Sequence, residues 1–355
     1  MNIYKIAQTD SSTLIGMNGG MIESPDGKRI IYAKKRELPG MGHTELWVCD
    51  RDLKNHRLIY SGNCGNHNGP SASFIDNSTV VFRDMSKERS AIIIMNADTC
   101  EIMYRIYAKE GHRAERGLYP FSVSEELPEL NPDHPEIAKP GIYTLDVYKN
   151  EIKMIVSQQE FLDMIRAHGL TPNTENVSVS HVQLNPAATS VMMRIGVKEC
   201  PVFGALGCVD IDTGKTYMIP DKPVHQLWYD DDTYMATRQF ASGRRIEMET
   251  SYIARFSKSG EELEVLGGIG NHIDGNRKRT LFAGDRCYPG CSPNIYVYEK
   301  GSKNPVIEIE MPDLEKVIWE HQVHPNPSFS MDGTRLYFNR PVSETKTEAS
   351  FIEIK

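Results

Sequence analysis

The chain has 355 residues and a formal net charge of −8. Its 39% hydrophobic and 25% charged residues allow a sizeable buried core, no apolar run of about 18 residues is present to span a membrane, and acidity without a basic run excludes general nucleic-acid binding. Seven irregularly spaced cysteines argue against a disulfide framework and fit a reducing compartment. The N-terminus, Met1-Asn2-Ile3-Tyr4-Lys5-Ile6, has no basic segment followed by an apolar run, so no secretory signal is read. The expected location is cytoplasmic, or periplasmic if a leader has been removed.

A unit of about 40–50 residues recurs along the chain, the period of propeller blades. Unit one runs from the Met21 region through Ser24-Pro25-Asp26-Gly27 to apolar runs at 29–33 and 45–50. Unit two has 73–77, 79–82 and 91–95. Unit three has 119–123, a long loop and 141–146. Units four, five and six open at His181, His225 and His272, and unit seven holds Pro327-Ser328-Phe329-Ser330-Met331-Asp332-Gly333 followed by 335–338. Asp-Gly between apolar runs is a hairpin signal, because such turns need positive φ. Seven nearly equal units of short strands predict an all-β, seven-bladed β-propeller filling 1–355 as a single domain. Residues 350–354 read as a strand of the last blade, and 2–6 as the strand that closes its outer edge. An acidic, proline-rich insertion is expected at 122–140. Helical spacing of apolar residues predicts a short helix around 157–168, covering an edge or walling a cleft.

His67, His181, His225, His272 and His324 each lie just before, or at the start of, the first strand of a blade. In a propeller that strand lines the channel, so imidazoles far apart in sequence can meet; the plain alternative is polar lining of a water-filled channel. Imidazole is the commonest metal-binding side chain. His225, His272 and His324, from three consecutive blades, are the candidate ligands, with His321, Gln322 and Asn326 able to add a nitrogen or oxygen. His67 and His181 suit acid–base or substrate-contacting roles. Arg194, Arg238 and Arg277, with Arg113 and Arg116 before blade three, could clamp a carboxylate or simply form a solvated rim. Cys287 and Cys291 form the only close cysteine pair, at a spacing unlike most zinc knuckles.

His324-Pro325-Asn326-Pro327-Ser328-Phe329-Ser330-Met331-Asp332-Gly333 resembles the His-Pro-His-Pro-Ser-Phe-Ser-Pro-Asp segment of oligogalacturonate lyases. Those are intracellular seven-bladed propeller enzymes of pectin breakdown. Ser180-His181-Val182-Gln183-Leu184-Asn185-Pro186 and Val224-His225-Gln226-Leu227-Trp228 also resemble that family's blade openings, and the similarity covers roughly the second half of the chain. The resemblance implies a manganese-like ion held by histidines and a glutamine, with Ca2+ and Zn2+ as alternatives, and β-elimination on an acidic oligosaccharide. Carried over by position, the ligands are His225, His324 and the pair His321/Asn326, with His272 nearby. Asn326 stands where the family has its second histidine, and His321 where it has its glutamine. Candidates for the base are His181, Arg194 and Tyr119. Two other readings compete: a glycoside hydrolase using carboxylates such as Glu125, Glu126 and Asp274, and a non-catalytic propeller that binds a protein partner.

Overall fold

Strands form where β-branched and aromatic residues run between turn residues. In blade two, Thr79–Asp84 and Ala91–Asn96 pair antiparallel from Thr79↔Asn96 to Asp84↔Ala91. Ile92, Ile93 and Ile94 are buried without alternation, as in a strand covered on both faces. The computed structural model describes the chain except residues 18, 37, 39–41, 66–68, 86–88, 110, 125–129, 168, 170–176, 198, 199, 220–222, 240, 243, 244, 247, 288–291, 313, 315 and 355. Among the described residues there are six sheets of four strands and one of three that make up blades, and the protein is a seven-bladed β-propeller. By compactness the chain parts into two units: Met1–Arg105 with Thr237–Ala254 and Val265–Lys355, and Ile106–Ala236 with Arg255–Glu264. No helix among the described residues is long and apolar enough to cross a membrane.

In blades two, four, five and six the first hairpin is locked by a short polar side chain that binds its own turn. Asp76 accepts from the amides of Ser78 (2.8 Å) and Thr79 (2.7 Å). Asn185 does the same for Thr189 and Ser190, Asp230 for Asp232 and Thr233, and Asn276 for Thr280 and Leu281. The strands that follow are thereby set in register. Blade four, for example, runs Val177–Leu184, Ser190–Val197, Cys200–Asp210 and Thr216–Ile219.

Two blades begin differently from the sequence expectation. Blade one's innermost edge begins earlier than the Met21 region, at Ser12–Leu14, and the Met21 region continues it along the same neighbouring strand, with Glu23 bridged to Ile30 and the Ile31 amide donating to Ile22 O (3.0 Å). Ser12 and Thr13 are buried because their hydroxyls accept hydrogen bonds from the amides of Thr347 (3.2 Å) and Ala349 (2.8 Å) of blade seven. In blade three, Leu118–Val123 is not innermost, since Lys109 bridges to Ser122 on its inner side. The excursion after that strand is fastened where it is described: Asn131 binds both backbone groups of Tyr107 (2.8 and 3.2 Å), and the Tyr143 hydroxyl donates to Lys139 O at 2.6 Å. The helix spans Gln158–Ala167. Ser157 and Glu160 cap it reciprocally, and Phe161, Met164 and Ile165 pack into the core of blade four with Val182, Met193 and Ile195.

Blade seven is sealed by the other end of the chain. Tyr4–Lys5 pairs with Lys346–Glu353 through Tyr4↔Phe351 and Lys5↔Ser350. Inward of this, Glu23 is 3% exposed. Its carboxylate accepts from the Tyr337 hydroxyl (2.5 Å) and the Met331 amide (2.8 Å) and lies 3.1 Å from Arg51 Nε. Arg51 in turn grips Asp332 with both terminal nitrogens (2.7 and 2.8 Å). Breaking one partner of a buried pair costs about 3–5 kcal/mol, so Glu23→Ala should lower the unfolding free energy by an amount of that order, read from urea denaturation. Burial alone would raise the Asp332 pKa, but hydrogen bonds from Arg51 and Thr334 outweigh it and hold the carboxyl well below its ordinary range. That contribution is present above the ordinary carboxylate pKa of about 3.9 and is lost as pH falls through the folded value. Asp332→Asn should therefore flatten the acid limb of stability against pH, measured by thermal melts at stepped acid pH.

Candidate metal centre

The first unit gathers three metal-binding side chains around one buried carboxylate. Blade six enters its innermost strand at Asn271-His272 and returns along Leu281–Asp285. The ladder bonds Asn271 N to Asp285 O (2.6 Å) and Asp285 N to His272 O (3.1 Å), which brings the Asp285 carboxylate beside the His272 ring. That carboxylate is 0% exposed. It accepts from the His272 amide (3.0 Å), from His272 Nδ1 (2.9 Å), from the Cys287 amide (3.4 Å) and from the Asn326 amide (3.3 Å). An ionised carboxylate only accepts, so Nδ1 carries the proton and Nε2 of neutral His272 presents a lone pair.

His324 Nδ1 lies 3.1 Å from that lone pair, with the rings 4.7 Å apart and tilted by 41°. Without an ion, His324 Nδ1–H donates to His272 Nε2. With one, metal–nitrogen bonds of about 2.1 Å place neighbouring ligand nitrogens roughly 3.0–3.4 Å apart, so the observed spacing also fits two ligands of a single cation. Cys287 completes the group: one ligand atom from each of His272, Cys287 and His324 lies within 4.8 Å of the others, and all three residues are buried. Asn339 Nδ2 binds His324 O (3.0 Å), and Asn271 Nδ2 binds Cys287 O (2.6 Å), so the backbone carrying two of the three is fixed. His321, three residues before His324, is 2% exposed, and neither ring nitrogen has a hydrogen-bond partner among the described residues. A buried imidazole without partners is costly, and this one suits an added ligand. The donor set as a whole fits a divalent transition ion.

The other candidates are distributed more widely. Asn326 is buried with φ 48°, and Gln322 has φ 55°. His225 belongs to the second unit and is not a member of the three-residue cluster. His181, also in the second unit, has φ 54° and breaks the register of its strand between Ser180 and Gln183. Its Nδ1 is 3.0 Å from Ser180 Oγ, and its ring stands 5.4 Å from that of His112. Arg194 lies directly across the ladder from Ser180. Its side chain is open to solvent, and nearby protein depresses its basicity by desolvation. Among the described residues it makes no ion pair.

The Tyr119 hydroxyl is buried, accepting from Gly111 N (3.0 Å) and donating to Gly111 O (3.2 Å). Arg113 is paired with Glu115 at 2.5 Å, and Arg116 Nε binds Pro186 O at 3.1 Å. Arg238 ends the strand Thr233–Arg238. Arg277, by contrast, is exposed in the turn that Asn276 closes, before the second strand of blade six, so it does not share the position of Arg194 and Arg238. Asp274 accepts from the amides of Phe329 and Gly275, which ties blade six to blade seven. His67, Glu125, Glu126 and Cys291 lie outside the described residues.

Asp285 and His112 are absent from the sequence expectation. Cys287 was legible only as half of a cysteine pair. Asp285 is an acidic residue at a strand end, a position that carries no pattern. His112 directly follows Gly111, which bridges to Val182, so it holds a blade-opening position that the strand pattern of blade three conceals. Because an outer carboxylate that orients a ligand histidine typically accounts for 10–100-fold in metal affinity, Asp285→Ala should weaken divalent-metal binding by about that factor, read by chelator competition.

No protein-family model and no curated protein sequence matches the chain. Among solved structures, an oligogalacturonate lyase in complex with manganese aligns over 99% of this chain and 93% of its own, at 13% identity and a TM-score of 0.68. An oligogalacturonate lyase from Vibrio parahaemolyticus aligns over the same shares at 13% identity and 0.69. Hydrazine synthase from Kuenenia stuttgartiensis covers 98% of this chain and 97% of its own, at 10% identity and 0.57. At such identities these likenesses show the propeller fold, which this chain shares end to end with oligogalacturonate lyases.

Proposed function

We propose that the protein is a metal-assisted lyase that cleaves a uronate-containing oligosaccharide by β-elimination. The observation that carries this reading is the His272–His324 pair, oriented by Asp285, in a fold that aligns throughout with a lyase bound to manganese. His272 and His324 would hold the ion, and Asp285 keeps the His272 proton on Nδ1 so that Nε2 faces it. When bound, a divalent cation supplies Lewis-acid stabilisation of the negative charge that develops beside a uronate carboxylate.

The chain's own groups account for the remaining needs of the reaction. Arg194, exposed and without an ion pair among the described residues, offers a two-point partner for a sugar carboxylate. His181 is the proposed base. Imidazole titrates near neutral pH, where a general base is most effective, and the Ser180 hydroxyl on Nδ1 holds the ring in place. The proton α to the carboxylate passes to His181, the bond to the 4-linked sugar oxygen breaks, a carbon–carbon double bond forms, and the departing oxygen takes a proton from water. The bonds of Tyr119 to Gly111 suit it to holding the loop before blade three rather than to proton transfer.

The test is to incubate metal-replete protein with a panel of uronate oligosaccharides and follow the ultraviolet absorbance of unsaturated uronate. The expected result is a steady rise, with kcat lowered by about 10²–10⁴ in His181→Ala while its metal content is unchanged. No absorbance from any member of the panel would overturn the reading.

A further inference from the structure

We infer that Cys287 is a thiolate ligand of this centre, making it a mixed nitrogen–sulfur site for a zinc-class ion rather than for manganese, magnesium or calcium. The inference rests on the metal-centre reading above and deepens it. A buried cysteine is most often a small apolar filler, but the surroundings of Cys287 are not apolar. It is 0% exposed, and its ligand atom is grouped with those of two imidazoles. Its amide points to the same Asp285 carboxylate that orients His272, and its carbonyl is held by Asn271 at 2.6 Å. One carboxylate thus organises the backbone of the cysteine and the ring of the histidine together.

Charge supports the same conclusion. Two neutral imidazoles leave a buried dication with its full double charge, and uncompensated charge in a protein interior costs several kcal/mol. A thiolate from Cys287 removes one unit, and the Asp285 carboxylate just behind His272 offsets the other. The assembly of two histidines, a cysteine, Asp285 and a divalent ion is then neutral. Binding releases the Cys287 thiol proton to solvent, while the His324 proton moves from Nδ1 to Nε2 so that Nδ1 can coordinate. Thiolate is a soft ligand that favours zinc-like ions over the oxygen-seeking Mn2+, Mg2+ and Ca2+.

Any nitrogen site prefers Zn2+ to Mn2+ to some degree, so the test compares the protein with its variant. Full-length protein stripped by chelator is titrated with Co2+. Thiolate ligation predicts a sulfur-to-cobalt charge-transfer band in the near ultraviolet, together with visible ligand-field bands. Cys287→Ser should lose the first and keep the second. It should also bind Zn2+ at least about tenfold more weakly with a smaller loss for Mn2+, so that the preference narrows. X-ray absorption of the zinc-loaded wild-type protein gives an independent reading should the variant fail to fold: a sulfur neighbour at about 2.3 Å is expected. Metal bound with ligand-field bands but neither charge-transfer band nor sulfur neighbour overturns the thiolate assignment and leaves the centre standing. No cobalt or zinc bound at all overturns the centre itself.

Discussion

A propeller must be sealed where its last blade would otherwise leave an open edge, because an unpaired strand is a row of unsatisfied backbone donors and acceptors. Here the sealing is done in depth. Tyr4–Lys5 supplies the outer strand of blade seven. The hydroxyls of Ser12 and Thr13 satisfy amides of the same blade further in. Glu23 binds the Tyr337 hydroxyl and the Met331 amide, while Arg51 joins Glu23 to Asp332. Blades one and seven are thus joined by backbone pairing, by hydroxyl-to-amide bonds and by a buried ion network, three kinds of contact with different sensitivities to pH and salt.

The candidate metal centre depends on this arrangement because its residues come from blades six and seven. Asn339, on the second strand of blade seven, binds His324 O with its amide group and receives the Ile15 amide on its carbonyl (2.8 Å). The segment that leaves the first blade's opening strand is therefore one bond away from the backbone of a candidate ligand. Asp285 plays the matching part on the blade-six side, where a single carboxylate sets a tautomer, a ring orientation and three backbone positions. A buried carboxylate with four donors is a well-satisfied group, and it keeps the imidazoles ordered.

Blade number, the strand runs and the closing N-terminal strand were legible because they rest on periodic patterning and turn chemistry, which are local. The innermost strands of blades one and three were not. Ser12 and Thr13 are buried for the sake of hydroxyl bonds to a strand more than 300 residues away, and Lys109 contributes only an isolated bridge. The histidines of the centre were legible from their recurring place at blade openings. Asp285, at the end of the return strand, and Cys287, two residues beyond it, were not, because no repeat marks them. The likeness of the whole fold to oligogalacturonate lyases agrees with the histidine-bearing segments on which the resemblance was first drawn.

One backbone feature constrains how such a centre can change over time. Ser71, His181, His225 and Asn326, each within or just before the innermost strand of its blade, all adopt left-handed φ between 48° and 54°. Asparagine and histidine are among the few side chains that enter this region readily, whereas β-branched residues pay for it. The substitutions open to these positions are therefore few, and they are chemically biased toward groups that coordinate ions or share hydrogen bonds. An exchange between asparagine and histidine at 326 takes a single base change in the codon and asks little of the chain's conformation.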